Sequence, residues 1–246
     1  MRLVGRTLDD VLRKLYPRLV RSRNRPQPSR GATREVLGVL LELVDPRARL
    51  SRSETRAVPY TGLGELLWYL SRDNQLAFIQ HYLPRYADES DDGETVHGGY
   101  GPRLFNHRGI NQIRNVTERL RGDGSTSRRA VVQIFDAEDM ASPHSEVPCT
   151  TTLQFFVRSK RLHMLTTMRS NDAWIGLPHD IFCFTMLQEI VARSLGVGLG
   201  RYRHFAGSMH LYEDRVGSAE KYLGEGVQST IAMPQMPVGT PWPAIT

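Results

Sequence analysis

The succession of elements in the C-terminal half most constrains what this chain can fold into. Residues 151–157 and 162–168 have the composition of strands and are joined by a short turn, which predicts a β-hairpin. The apolar run 181–195 predicts a helix that Gly196 can end in a left-handed conformation. A strand over 203–212 follows, and this succession favours an α+β fold with a mostly continuous sheet.

The N-terminal half is dominated by helical periodicity. Apolar residues recur at helical spacing over 8–20 and predict an amphipathic helix, which Pro17 can kink. The loop at 23–31 is rich in Pro, Ser and Arg but is too short to separate two domains. We therefore predict one domain over residues 1–246. Its other predicted elements are strands at 36–43 and 130–135 and helices at 62–72, 75–83 and 110–120.

Composition narrows the class of protein. With 246 residues, of which 40% are hydrophobic, the chain can bury one substantial core. It contains neither a long uncharged apolar run nor an apolar leader, so we expect a cytoplasmic protein without a membrane span or signal peptide. Two cysteines, Cys149 and Cys183, are expected to be reduced thiols. No CxxC pair occurs, and the sequence predicts no metal site.

The charge favours a small anionic ligand over a nucleic acid. The formal net charge of +6 rests mostly on arginine, whose planar guanidinium suits bidentate phosphate recognition. Long basic tracts are missing, and an acidic run occupies residues 88–94. We therefore expect a phosphorylated metabolite, with no nucleic acid required.

Several motifs occur in a fixed order between Glu65 and Tyr212. Together they resemble the thymidylate synthase family, far more specifically than any one of them alone. They are Glu65-Leu66-Leu67-Trp68, Tyr86-Ala87-Asp88-Glu89, Tyr100-Gly101, Pro148-Cys149 with Gln154-Phe155, Arg169-Ser170-Asn171-Asp172 with Ile175-Gly176-Leu177-Pro178, and His210-Leu211-Tyr212.

The resemblance implies a fold, a reaction and a nucleophile. The fold is a large mixed sheet flanked by helices in a sheet-mediated homodimer, and the reaction uses 5,10-methylenetetrahydrofolate as co-substrate. Cys149 would attack C6 of a pyrimidine nucleoside monophosphate, because the added thiolate makes C5 nucleophilic. The alternative for Cys149 is a small buried hydrophobe, which is the role that we expect for Cys183 in its apolar helix.

The resemblance also assigns roles to charged and polar residues. Glu65, on an otherwise apolar stretch of helix, would be the general acid and base. Arg169 would bind the phosphate and lower the pKa of the Cys149 thiol. The other implied substrate contacts are Ser170 and Arg30 to the phosphate, Arg128 and Arg129 lent across the dimer interface, His210 and Tyr212 to the sugar, and Asp172. The implied folate contacts are Asp172, Leu83 and Tyr86. A surface position without a binding role is the alternative for Arg30, Arg128 and Arg129.

Asp180 departs from the family pattern. Members that act on dUMP carry asparagine in a Pro-Phe-Asn sequence, whereas this chain has Pro178-His179-Asp180. A carboxylate only accepts hydrogen bonds, so it suits the amino group of cytosine and an N3 that gains a proton, and it is repelled by O4 of uracil. Relatives that hydroxymethylate cytidylates carry aspartate there. The alternative is that Asp180 merely caps the following helix.

Other departures favour water as the final nucleophile. Aromatic residues expected around the folate are replaced by Leu83, Tyr86 and Leu104, and Thr150 replaces the histidine that usually follows the cysteine. A wetter pocket favours a hydroxymethyl over a methyl product. We therefore expect a CMP or dCMP 5-hydroxymethylase that serves DNA precursors or a nucleoside antibiotic pathway. A divergent thymidylate synthase acting on dUMP, or an inactive nucleotide- or RNA-binding homologue, are the alternatives.

Overall fold

A mixed six-stranded sheet forms the framework of the computed structural model, which describes residues 1–56, 59–121, 126–229, 231–239 and 242. The strands are β1 (Arg2–Gly5), β2 (Thr33–Leu43), β3 (Val131–Gln133), β4 (Thr150–Arg158), β5 (Arg161–Asp172) and β6 (Gly198–Tyr212), in the spatial order β1-β2-β6-β5-β4-β3. The helices are α1 (Leu8–Val20), α2 (Pro59–Leu70), α3 (Leu76–Tyr82), α4 (Tyr100–Phe105), α5 (Gln112–Arg121), α6 (Gly176–Ser194) and α7 (Val216–Gly224). The predicted α+β class with a mixed sheet is confirmed.

The predicted hairpin is present and leads into the central pair of strands. β4 and β5 are antiparallel, and their turn places Ser159 and Lys160 at φ of 49° and 56°, as a tight two-residue hairpin turn requires. β5 then runs parallel to β6, with α6 as the crossover. Gly196 ends this connection at a φ of 67°, the left-handed conformation predicted for it.

The start of α6 corrects the sequence analysis. The helix begins at Gly176 rather than at residue 181, so Asp180 lies inside it and cannot be its N-cap. The N-cap position is Ile175, and the carboxylate of Asp172 at the end of β5 supplies the acceptors in front of the helix, for the backbone N–H groups of Trp174 (3.0 Å), Ile175 (2.9 Å) and Gly176 (3.4 Å). Pro178 did not break the helix because the first turn leaves backbone N–H groups without intrahelical partners anyway.

α1 is a single helix that continues through Pro17. Its start is fixed by a capping box between Thr7 and Asp10, and its apolar face is buried against the sheet. Each fully buried leucine, such as Leu12 or Leu15, contributes on the order of 2 kcal/mol. The edge strand β1 and the short helices α4 and α7 were not predicted, since they lack a long periodic pattern.

α6 and α2 enclose a cleft of about 1320 Å³ beside the ends of β5 and β6. The 3₁₀ segment Pro84–Glu89 and the chain before Cys149 close its other sides. None of the helices in the described residues is long and apolar enough to cross a membrane. The predicted single domain reaches Thr246, but residues 243–246 lie outside the described part of the chain.

Candidate active site

The cleft collects most of the residues that the sequence analysis singled out. Ten of them line it: Arg30, Glu65, Tyr86, Cys149, Arg169, Ser170, Asp172, Asp180, His210 and Tyr212. Leu83 lines a neighbouring cavity instead. Arg128 and Arg129, just before β3, are exposed and line neither cavity, so a role for them depends on a second subunit.

Cys149 sits where the sheet is locally irregular. The register of β4 against β5 shifts between Thr150 and Thr152, a bulge of the kind that redirects side chains at sheet ends. Thr150 is anchored because Tyr100 donates to its hydroxyl (3.0 Å) and accepts its backbone N–H (3.1 Å). This anchoring fixes the position of the neighbouring thiol at the cleft wall.

Burial raises the pKa of the Cys149 thiol to about 12, although the nearby Arg169 acts to lower it. The expected effect of Arg169 therefore has the predicted direction, but burial outweighs it. The Arg169 guanidinium donates to the carbonyls of Val147 (2.7 Å) and Pro148 (3.0 Å) and so braces the segment before the cysteine. The free cleft holds a protonated thiol, which must lose its proton before it can attack.

Arg30 lies at the mouth of the cleft between two carboxylates. Its guanidinium contacts Glu89 (3.2 Å) and Glu146 (2.9 Å). Burial and the neighbouring Glu89 raise the pKa of Glu146 to about 7, despite the opposing charge of Arg30. An incoming phosphate would have to displace these carboxylates from Arg30.

Glu65 on α2 is buried and held from both sides. Tyr69 and Tyr86 donate to its Oε1 at 2.8 Å and 3.1 Å, and His179 Nδ1 lies 3.3 Å from its Oε2. Burial acts to raise its pKa, but His179 and Tyr69 together hold the pKa below the usual value. Glu65 is therefore ionised near neutral pH and can accept a proton.

The pKa of Asp180 on α6 is shifted in the direction opposite to that of Glu65. Burial, reinforced by the negative charge of Glu65, raises its pKa well above the ordinary value and so favours the neutral carboxyl group. The Asn171 amide donates to its Oδ2 at 2.7 Å. The pKa values of two carboxyl groups in one cleft are thus shifted in opposite directions, a pattern typical of acid and base pairs in enzymes.

A buried chain of polar groups fixes how Asn171 faces Asp180. Asn171 Oδ1 lies 2.9 Å from His204 Nε2, and His204 Nδ1 lies 2.9 Å from the Tyr202 hydroxyl. Burial lowers the pKa of His204 to about 3, so its ring is neutral. Because an amide oxygen only accepts, His204 Nε2 donates to it, and the Asn171 N–H groups must face Asp180.

β5 and β6 form the wall of the cleft at which the sugar contacts were expected. Ser170 Oγ lies 3.3 Å from His210 Nδ1, and His210 and Tyr212 point to the same side of β6. Asp172 lines the same wall, but its two oxygens already accept the backbone N–H groups of Trp174 and Ile175, just before α6. It therefore orders the start of the helix that carries His179 and Asp180.

A second cavity of about 580 Å³ adjoins the cleft. His179 and Ile175 line both cavities, and Leu83, Pro178 and Phe182 give the second one apolar walls. Of the expected folate residues, Leu83 faces this cavity, whereas Tyr86 and Asp172 face the cleft. A ligand with an extended aromatic part can therefore enter the space beside Glu65 from this side.

Some site residues were not predicted as such. Asn171 and His179 stood inside motifs that the sequence analysis quoted, but neither received a role. The signal for His179 was its place in Pro178-His179-Asp180, where the family has phenylalanine. Arg85 and Glu146 also line the cleft, and no sequence signal distinguished them from other surface charges.

A cleft with a thiol, an ionised glutamate, an aspartate of raised pKa and an arginine at its mouth has the composition of an enzyme active site on an α+β fold. A sequence model described as thymidylate synthase matches residues 32–240. The chain belongs to the thymidylate synthase family, as the motifs predicted.

The relatives include both hydroxymethyltransferases and a thymidylate synthase. A deoxyuridylate hydroxymethyltransferase of Pseudomonas phage M6 is 34% identical over 165 residues, which is 66% of this chain and 47% of the relative. The enzyme of that name from Delftia phage PhiW-14 is 31% identical over 203 residues, which is 76% of this chain and 56% of the relative. A thymidylate synthase of Francisella tularensis subsp. holarctica is 28% identical over 192 residues, which is 71% of this chain and 68% of the relative. The chain spans about half the length of the phage relatives.

Proposed function

We propose that this protein transfers a one-carbon unit to C5 of a cytidine monophosphate, CMP or dCMP, and that water completes the product as a 5-hydroxymethyl group. The observation that carries the proposal is the pair of carboxyl groups in the cleft that holds Cys149, with the pKa of Glu65 lowered and the pKa of Asp180 raised. The phage relatives, which are named as hydroxymethyltransferases, support the reaction type.

The roles of the residues follow from the chemistry. Cys149 adds to C6 of the ring and makes C5 nucleophilic, and its proton leaves as the adduct forms. Arg169, Arg30 and the Ser170 hydroxyl are the groups available to the phosphate, and His210 and Tyr212 face the sugar. Ionised Glu65 accepts protons at the ring, which suits a general base.

In this proposal, Asp180 distinguishes cytosine from uracil. The raised pKa favours the protonated form of Asp180, which can donate as well as accept. In that form its proton can be donated to N3 of cytosine, while Oδ2, kept as an acceptor by Asn171, accepts from the amino group. Uracil has the reverse pattern, with an oxygen that would meet Oδ2. A mismatch of this kind costs about 1–3 kcal/mol.

The second cavity supports 5,10-methylenetetrahydrofolate as co-substrate. Its apolar walls at Leu83, Pro178 and Phe182 suit an aromatic ring system, and it meets the cleft beside Glu65. When bound, the folate supplies a methylene group at the oxidation level of formaldehyde. Tyr86 and Asp172 lie on the cleft side of this junction and would contact its reactive end.

The proposed assembly is a homodimer in the cytoplasm. Arg128 and Arg129 are exposed and do not reach the cleft of their own chain, which supports their contribution to a partner's phosphate site. The second candidate substrate is dUMP, because the phage relatives are named for deoxyuridylate.

Release of tritium from C5 tests the proposal. The protein is mixed with methylenetetrahydrofolate and C5-tritiated CMP, dCMP or dUMP, and the product mass separates a methyl from a hydroxymethyl group. We expect release from a cytidylate and none from Cys149→Ser. Asp180→Asn should move the preference, measured as a ratio of kcat/KM, toward uracil by about ten- to a hundredfold. Release from dUMP alone would contradict the cytosine assignment.

A further inference from the structure

His179 stands between the two cavities and bridges one turn of α2. Its Nδ1 lies 3.3 Å from Glu65 Oε2, and its Nε2 lies 2.9 Å from the Thr61 hydroxyl. Thr61 and Glu65 are four residues apart, so they lie on the same face of the helix.

Packing alone does not explain a histidine at this place. A buried imidazole costs free energy unless its nitrogens face polar partners, and an apolar ring would fill the same space without that cost. Within the described part of the chain, Nδ1 makes no hydrogen bond of full geometry, and a carboxylate oxygen of Glu65 lies 3.3 Å away. Contacts of this length in a free enzyme can tighten when substrate binds.

The proposed reaction creates a need for such a group. Once the folate has left, water adds to the exocyclic methylene of the pyrimidine: its oxygen bonds to the methylene carbon, and one proton is released. The electron pair of the exocyclic double bond moves into the ring and expels the Cys149 thiolate from C6. The water proton and the proton removed from C5 balance the two protons that the released folate nitrogens have gained.

Glu65 is the base nearest to this event, but it has few routes for passing the proton on. Its Oε1 accepts from Tyr69 and Tyr86, whose pKa values are raised well above 10 by burial and by the charge of Glu65 itself. These phenols stay protonated and cannot accept a further proton. Its Oε2 faces His179, whose other nitrogen points to Thr61 and the second cavity.

We propose that His179 relays the proton of the adding water from Glu65 to the second cavity. The exposed Arg52 lines that cavity, so it reaches solvent, and the departure of the folate would open this path when it is needed. His179 is thus a positioning and relay residue that acts through Glu65. The inference rests on the proposed hydroxymethylation. It adds a route for the proton that the adding water releases, which favours water as the nucleophile.

Partition of the methylene intermediate tests the relay. The enzyme turns over labelled nucleotide and methylenetetrahydrofolate in the presence of 2-mercaptoethanol, which captures the same intermediate as a thioether. Because a thiolate brings no proton for Glu65 to accept, the thioether route does not use the relay. In His179→Phe the ratio of alcohol to thioether should fall about tenfold or more, because both products arise from the same intermediate and only the alcohol route uses the relay.

Two further variants separate a relay from other roles. His179→Gln keeps an N–H group beside Glu65 but cannot pass a proton on, so its ratio should fall as in His179→Phe. His81→Phe makes the same side-chain change at an exposed position outside both cavities, and its ratio should equal that of wild type. Exchange of C5 tritium without folate shows that each variant still forms the Cys149 adduct.

The outcomes distinguish this inference from the proposed function. An unchanged ratio in His179→Phe, or a ratio restored in His179→Gln, overturns the relay and leaves hydroxymethylation standing. Loss of tritium release and of alcohol in equal measure in His179→Phe assigns His179 a structural role and also overturns the relay. Absence of tritium release from wild type with every nucleotide overturns the proposed function and the relay together.

Discussion

Burial decides the behaviour of single residues in this cleft. It raises the pKa values of Cys149 and Asp180, whereas the contacts of Glu65 with His179 and Tyr69 overcome it. A sequence reports which residue types are present, but it does not report how much water surrounds each one. The nucleophile could therefore be predicted from its motif, whereas its protonation state could not.

The reactivity of Cys149 should rise steeply with pH in the free enzyme. Only the thiolate is alkylated, and burial raises the pKa of this thiol to about 12. The rate constant for inactivation by iodoacetamide should therefore increase about tenfold per pH unit, without the levelling off that a free cysteine shows about one pH unit above its pKa of about 8.5.

Peptide mass mapping identifies the alkylated residue. Cys149→Ser removes the reaction, because the other cysteine, Cys183, is fully buried in α6. A rate constant that levels off below pH 9 would mean that Arg169 outweighs burial, contrary to the balance described above.

At the scale of elements, the long periodic segments were predictable. The hairpin and α1 arose from local patterns, since each forms from residues that are neighbours in sequence. The start of α6 was misplaced because the apolar run begins later than the backbone hydrogen bonds do. The acceptor in front of it, Asp172, belongs to the preceding strand, so no pattern within the helix indicated it.

Contacts between elements could not be predicted from the sequence. The chain from His204 through Asn171 to Asp180 joins β6, β5 and α6, so it depends on how these three elements are packed together. The contact of His179 with Glu65 likewise depends on α6 packing against α2. Motifs predicted most members of the site, but not these partnerships.

Close packing at the start of α4 links an element to the site. A Cβ added at Gly101 would lie 2.4 Å from the Asp73 carbonyl oxygen, a contact with backbone that cannot swing away. Gly101→Ala should therefore destabilise the protein by about 1–3 kcal/mol. It should also disturb the preceding Tyr100, which holds Thr150 beside the nucleophile.

Urea denaturation of Gly101→Ala and a matched glycine measures this effect. A Cβ at Gly217 in α7 would meet nothing within 4 Å, so Gly217→Ala should change the free energy of unfolding by less than about 1 kcal/mol. Equal stabilities of the two variants would show that the turn at Asp73 yields to the added methyl group.

On one face of the sheet, apolar side chains stay half-buried in the described part of the chain. α6 covers the inner face, where Leu153, Met164 and Ala206 are buried, whereas Phe156, Leu165 and Phe205 on the opposite side are half-buried. Half-buried apolar side chains on a sheet face suit a self-complementary contact with a second copy. The exposed Arg128 and Arg129 lie near one edge of this sheet, just before β3.

Mixed dimers test whether these arginines complete a partner's site. Cys149→Ser retains both arginines, and the double variant Arg128→Ala, Arg129→Ala retains the nucleophile. Each alone should show little tritium release at subsaturating nucleotide.

Co-expressed in equal amounts, the two chains pair at random, and each hybrid has one site with both the cysteine and the partner's arginines. The mixture should therefore recover roughly a quarter of wild-type activity. Sedimentation velocity confirms the dimer in each sample. A mixture no more active than its components, in samples that do sediment as dimers, would place the two arginines outside the partner's site.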